Sequence, residues 1–186
     1  MTLTTTHIEE LLEKCRQGDE RAQMKIYNKY AKAMYNVALR IVKDTAEAED
    51  IMQECFLKAF EKLDSFEGNS TFGAWLKKIV VNQSISVYNK NTKYKEVQFD
   101  EQFKHAADEA NGVILDEDEQ NSKVRKILKA MESLKENYRM ALTLHLIEGY
   151  DYEEICDILN ITYANCRTTI SRAKESLRTK LLSYEN

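Results

Sequence analysis

Three groups of residues have types and spacings that could do chemistry, and in each group the chemistry is binding rather than bond-making. Phe66, Phe72 and Trp75 bracket a short glycine-bearing loop, with Lys77, Lys78, Asn82 and Ser86 following at helical intervals. Aromatic rings beside lysines, amides and hydroxyls suit a single strand whose bases are stacked or drawn into pockets. Just upstream, Asp50, Glu54, Leu57 and Glu61 fall on one side of a predicted helix, a set of carboxylates around an apolar residue that the core does not claim. Such a face is either solvated surface or a docking surface for a basic partner. Near the end, Arg167, Arg172, Lys174, Arg178 and Lys180 stand against Glu175 alone between Tyr163 and Leu182, a local charge of +4.

No phosphate-binding glycine loop, nucleophile elbow or isolated acid-base pair occurs, so no enzymatic activity is expected. Cys15, Cys55, Cys156 and Cys166, like His7, His105 and His145, sit at spacings that do not suit metal ligands. Buried reduced thiols are expected, with no metal and no cofactor. The N-terminus lacks a basic end followed by an apolar run, and no stretch approaches a membrane span, which predicts a cytoplasmic protein with no stable membrane insertion.

The elements that must position these groups are helical. The 186 residues contain no proline and five glycines, so helix breakers are scarce, and the expected fold class is all-α. Thr6 and Glu9 have capping-box spacing before a short first helix that stops at Gly18. A longer helix runs from Asp19 to about Lys43. Asp44 and Glu47 then open the helix that carries Ile51, Met52, Cys55, Phe56 and Ala59 inward. Ser70 or Thr71 caps the helix that begins near Phe72. From Glu96 to Asn121 periodicity fades, and nine acids between Glu96 and Glu119 face only Lys104 and His105, which reads as a flexible acidic linker.

Charge sharpens this division. The net charge of -4 is unevenly spread: Lys77, Lys78, Lys90, Lys93 and Lys95 give a local +5 with no acid between them. Two basic patches separated by an acidic stretch resemble two polyanion contacts on a tether, the alternative being solvated helix faces. The expected domains are 1–95, the linker 96–122, and 123–186. In the last of these, Ser133 to Glu136 is read as a capping box for the second of four helices. Tyr152 to Leu159, a turn of about four residues, and a longer basic helix from about Tyr163 have the proportions of a helix-turn-helix. Ala164, Asn165, Arg167, Thr168 and Ser171 lie near the start of the second helix, where side chains reach base edges. Arg172, Lys174 and Arg178 are better placed for phosphates.

With these parts in order, the chain resembles the extracytoplasmic-function (ECF) sigma factors, the promoter-specificity subunits of bacterial RNA polymerase. The residues that carry the resemblance are Gly18-Asp19-Glu20, Leu39-Arg40-Ile41, AEDIMQECFLKAFEKL, Phe66 and FGAWLKKIVVN in the first half, and Ser133 through Leu181 in the second. The resemblance implies that the first domain binds the clamp helices of the largest subunit of core polymerase and melts the -10 element of promoter DNA. It implies that Asp50, Gln53 and Glu54 contact polymerase, with Leu57 and Glu61 added by helical geometry. Phe66, the loop through Asn69, Ser70 and Thr71 to Phe72, and Trp75 match the base-capturing segment, and Lys77, Lys78, Asn82 and Ser86 the DNA-facing helix after it. The second domain would read the -35 element as duplex. The linker would enter the polymerase channel, and an anti-sigma factor is an implied partner of an otherwise monomeric protein. Two positions depart from the pattern: Lys135 stands where proline is usual, and Thr169 where arginine is common. The competing reading is a dimeric helix-turn-helix regulator that binds duplex without core polymerase.

Overall fold

The computed structural model describes residues 3–99 and 119–183. Contacts divide the chain into two units, Met1–Ala110 and Asn111–Asn186. The expected linker falls mostly on 100–118, outside the described residues. Among the described residues all regular structure is helical.

In the first unit, α1 (Leu3–Arg16), α2 (Glu20–Val42), α3 (Thr45–Glu61) and α4 (Phe72–Phe99) pack around α2. Ile26, Met34, Val37, Ala38 and Ile41 of α2 meet Ile51, Cys55, Phe56 and Ala59 of α3 and Leu76, Val80, Val81 and Ile85 of α4, all buried. The signals that delimit these helices are local. Asp19 accepts hydrogen bonds from the amides of Arg21 and Ala22, and Asp44 from that of Glu47, which satisfies N-terminal donors left over by the helical ladder. Between α2 and α3 the chain reverses at Lys43, whose φ of 61° is left-handed although it is not glycine.

Three helix ends differ from the sequence expectation. The capping-box pattern at Thr6 is not a helix start, because α1 already begins at Leu3; Leu3-Thr-Thr-Thr contains neither glycine nor proline to break it. Helix α4 likewise continues to Phe99, past the expected boundary at 95, and α5 begins at Glu119, before the expected end of the linker. Loss of apolar periodicity marks where packing ends, not where the backbone ceases to be helical.

The second unit contains α5 (Glu119–Glu132), α6 (Glu136–Leu142), a π-helical turn (Thr143–Ile147), α7 (Tyr152–Leu159) and α8 (Tyr163–Ser183). Its core gathers Ala130, Met131, Leu134, Met140, Leu142, Leu144, Ile155, Cys166, Ile170, Ala173 and Leu177. The expected capping box at Ser133 is not formed. The Ser133 hydroxyl donates to the Ala130 carbonyl at 2.8 Å, closing the end of α5, while α6 starts at Glu136 with Lys135 at its N-cap and no side-chain cap bond. Its first turn is instead braced by the ion pair of Glu136 with the buried Arg139. The π turn, with the Glu148 amide reaching back to the Thr143 carbonyl, was not anticipated; it redirects the chain so that His145 faces α8.

Candidate polymerase and DNA interfaces

Helix α3 holds its two faces apart by periodicity alone. Ala48, Ile51, Met52, Cys55, Phe56 and Ala59 are buried, so Asp50, Gln53, Glu54, Leu57 and Glu61 emerge opposite them, and all five are exposed. Leu57 is 65% exposed, an apolar residue in the middle of a polar stripe. Glu54 is also braced sideways: its Oε2 accepts from Lys58 Nζ at 3.4 Å and from Gln83 Nε2 at 3.2 Å, and Lys58 Nζ donates to Gln83 Oε1 at 3.2 Å. This triad ties the α3 stripe to α4, and it is invisible in sequence because 25 to 29 residues separate the partners.

After α3 a 3-10 turn, Leu63–Ser65, is pinned by the buried Leu63. The chain then enters Phe66, whose half-buried ring lies 5.3 Å from Trp75 and 5.8 Å from Phe72, with Phe72 in turn 5.5 Å from Tyr30. Edge and tilted aromatic contacts of this kind hold rings in defined orientations. Glu67 to Thr71 are all exposed, and Gly68 takes a φ of +76° that favours glycine. Gly73 matters for a different reason: a Cβ there would stand 3.0 Å from the Tyr30 ring, so any side chain would crowd the start of α4 against α2 and the ring would have to shift by a few tenths of an ångström.

The expected strand-binding residues therefore separate into two groups. Phe66 and Trp75 keep part of their rings at the surface, and Asn69, Ser70, Lys78, Asn82 and Ser86 are exposed. Phe72 is corrected: at 3% exposure it is a core residue that supports Phe66 and Trp75 and presents no ring to DNA. Thr71 is exposed, but its hydroxyl accepts from the Ala74 amide at 3.2 Å as the cap of α4. Asn69 donates to the Glu67 carboxylate at 2.9 Å. On α4, Lys78, Asn82 and Ser86 recur every four residues on the outer surface, with Lys77 half-buried beside them.

In the second unit α7 opens with a complete capping box: the Glu154 amide donates to Asp151 Oδ1 at 2.8 Å, and the Asp151 amide to Glu154 Oε2 at 2.9 Å. It closes at Asn160, left-handed at φ 52°, and the Asn165 amide then bonds Thr162 Oγ1 at 3.3 Å to start α8. Cys166, Ile170, Ala173 and Leu177 fix α8 to the unit, which leaves Ala164, Asn165, Arg167, Thr168, Ser171, Arg172 and Arg178 exposed. Most of these, with Tyr163, line an open concavity of about 530 Å³. Asn165 Oδ1 accepts from the Thr169 hydroxyl at 3.1 Å, so the residue at the unusual position orients a base-reading candidate. Lys174 departs from the expectation of a phosphate contact: it is half-buried, and its Nζ lies 3.3 Å from His145 Nε2. Arg178 is exposed and pairs with Glu175 at 3.3 Å.

Cys15, Cys55 and Cys166 are buried as expected, whereas Cys156 is half-buried. Burial pushes Cys55 up to about 11, helped by Glu54 and opposed by Lys58, and burial beside Cys156 pushes Cys166 up to about 11. Protonated, enclosed thiols are poor nucleophiles. Among the described residues no cluster of His, Cys, Asp or Glu is arranged to hold a metal ion, and no helix is long and apolar enough to cross a membrane.

Comparison with known proteins matches both units. Residues 26–94 fit the profile described as Sigma-70 region 2, and residues 124–177 that of Sigma-70, region 4. The ECF RNA polymerase sigma-E factor of Escherichia coli (strain K12) is 30% identical over 183 residues, covering 92% of each chain. The chain belongs to the ECF sigma factors of RNA polymerase. The RNA polymerase sigma-H factor of Pseudomonas aeruginosa is also similar, at 28% identity over 186 residues and 94% of each chain. Among solved structures, the sigma factor RpoE in complex with the anti-sigma factor NepR from Bartonella quintana matches with a TM-score of 0.58 and 23% identity, over 88% of this chain and 98% of that one. CnrH in complex with the cytosolic domain of CnrY matches with a TM-score of 0.54 and 20% identity, over 95% and 97%. These likenesses of fold agree with two sigma regions in one chain, and the ECF sigma factor displaces the dimeric regulator as the reading of the sequence.

Proposed function

We propose that the two units divide promoter recognition between them. The observation that carries this reading is the arrangement of the first unit: the exposed carboxylates and Leu57 of α3 and the exposed Lys78, Asn82 and Ser86 of α4 flank one loop that begins with a half-exposed aromatic ring. The α3 stripe docks on the clamp helices of the largest polymerase subunit through Asp50, Gln53, Glu54, Leu57 and Glu61. Phe66, Trp75 and the loop at Asn69 and Ser70 then hold bases of the opened -10 strand, while Lys78, Asn82 and Ser86 follow its backbone. Opening is driven by binding energy, since trapped unstacked bases offset the cost of breaking the duplex. The protein has no enzymatic activity of its own.

The second unit reads the -35 duplex with Ala164, Asn165, Arg167, Thr168 and Ser171 toward base edges and Arg172 and Arg178 toward phosphates. Both solved relatives are complexes, one with an anti-sigma factor by its description, and this supports an anti-sigma partner for the present chain. The free protein is a cytoplasmic monomer. Charge reversal tests the docking assignment: Asp50→Lys together with Glu54→Lys should abolish binding to core polymerase and transcription while leaving binding of the isolated protein to -35 duplex unchanged. Intact core binding in that variant sinks the α3 assignment.

A further inference from the structure

The Phe66 ring packs on Phe72 and Trp75, but among the described residues the polar contacts of this loop are mostly local. Asn69 bonds Glu67, the Ser65 hydroxyl bonds the Lys62 carbonyl, and the Phe66 amide bonds the Leu63 carbonyl, all within a few residues. A long-range contact comes from the other end of the unit. Arg16, the last residue of α1, donates from Nη2 to the Phe66 carbonyl at 3.4 Å, and its Nε lies 3.8 Å from Asp64 Oδ1. On its other side Nη1 pairs with Glu13 at 3.3 Å, which fixes the guanidinium from within α1. The side chain is 30% exposed, so the contact lies at the surface and not in the core.

Each of these contacts is modest, but together they join three elements. Buried Leu11, Leu12 and Cys15 hold α1 against the bundle, Glu13 orients Arg16 along it, and Arg16 grips the backbone where the 3-10 turn gives way to the exposed loop. The planar fork of an arginine suits such a bridge better than a lysine, because several donors leave one rigid group. The geometry points to Arg16 as a positioning residue for strand capture: it clips α1 to the backbone of Phe66 and so holds the loop open for an unpaired base before DNA arrives. This rests on the reading of Phe66 as the base-capturing residue. Its physical content is preorganisation, since a loop fixed beforehand loses less conformational freedom when it binds.

The test uses holoenzyme reconstituted from core polymerase and the full chain. The probe is a promoter fragment selected by the wild-type holoenzyme from a random pool, carrying 2-aminopurine at successive -10 positions. Arg16→Ala should lower the rate of the fluorescence rise on opening by about three- to tenfold, the net worth of one ordinary surface hydrogen bond. Core affinity and binding of the second unit to -35 duplex should stay within about twofold. Arg16→Lys should recover part of the rate, since it keeps the charge and one reach to the carbonyl but not the fork. An unchanged opening rate in Arg16→Ala, with Phe66→Ala severely impaired, overturns the positioning role and leaves the base-capture reading standing. Normal opening in Phe66→Ala overturns both. A parallel loss of core affinity in Arg16→Ala would show a merely structural contribution and also overturn the proposal.

Discussion

Truncating Leu57 to alanine probes the docking stripe with little disturbance of the fold. The side chain is 65% exposed and stands on the face of α3 opposite Ala48, Ile51, Met52, Cys55 and Phe56, so it makes no contribution to the buried face. Alanine and leucine are both good helix formers, and surface substitutions of this kind stay within about 0.5 kcal/mol of wild-type stability. Covering roughly 80 Å² of its exposed apolar surface at about 25 cal/mol per Å² would contribute about 2 kcal/mol. After imperfect packing, about 1 to 2 kcal/mol should be lost on truncation, a fall in core affinity of about 5- to 30-fold. Fluorescence titration of labelled protein against core polymerase measures the affinity, and a thermal melt of the free protein measures stability. An affinity within about twofold of wild type would refute the argument that this leucine is exposed because it is covered in the holoenzyme. A large fall in melting temperature would refute the assignment of Leu57 to the outer face.

Thr169→Val removes the hydroxyl that holds Asn165 Oδ1, and selection of -35 duplexes should then show altered preference at one base position while non-specific duplex affinity changes less than about twofold. Asp151→Ala should cost about 1 kcal/mol by chemical denaturation through loss of the α7 capping box, whereas Ser133→Ala should cost less than about half of that, because its hydroxyl only closes α5. Cys55 has its folded pKa raised to about 11 from an unfolded value near 9.0, so the folded state binds the proton more tightly; the stability from this group is complete below pH 9 and is lost as pH rises toward 11. The melting temperature should therefore fall over that window, and Cys55→Ala should flatten the fall while lowering the plateau.

The sequence was most legible where one periodicity served one purpose. The α3 stripe could be placed because buried Ile51, Met52, Cys55 and Phe56 leave Asp50, Glu54 and Leu57 no other direction. The helix-turn-helix could be placed because Asp151, Asn160 and Thr162 mark its boundaries locally. Signals that admit two uses were misleading. Ser133 and Glu136 have capping spacing, but the serine hydroxyl turned back to Ala130, and Thr6 lay inside a helix that nothing upstream interrupted. Phe72 could not be told from Phe66 by type; only packing against Tyr30 shows that one ring supports and the other faces outward. Contacts between distant residues, such as Arg16 with Phe66 or Lys58 with Gln83, leave no local pattern at all. The close fit of Gly73 against Tyr30, 43 residues apart, is likewise shown only by the 3.0 Å approach.

The central claim is that this chain confers promoter recognition on core polymerase through two separate DNA-reading surfaces. Run-off transcription with purified core polymerase, on promoter fragments selected by the reconstituted holoenzyme, tests it most directly. A defined transcript should appear only when the protein is present, should vanish with Asp50→Lys and Glu54→Lys, and should weaken with Phe66→Ala. Tight duplex binding by the protein alone, with no transcript from core polymerase, would contradict the account.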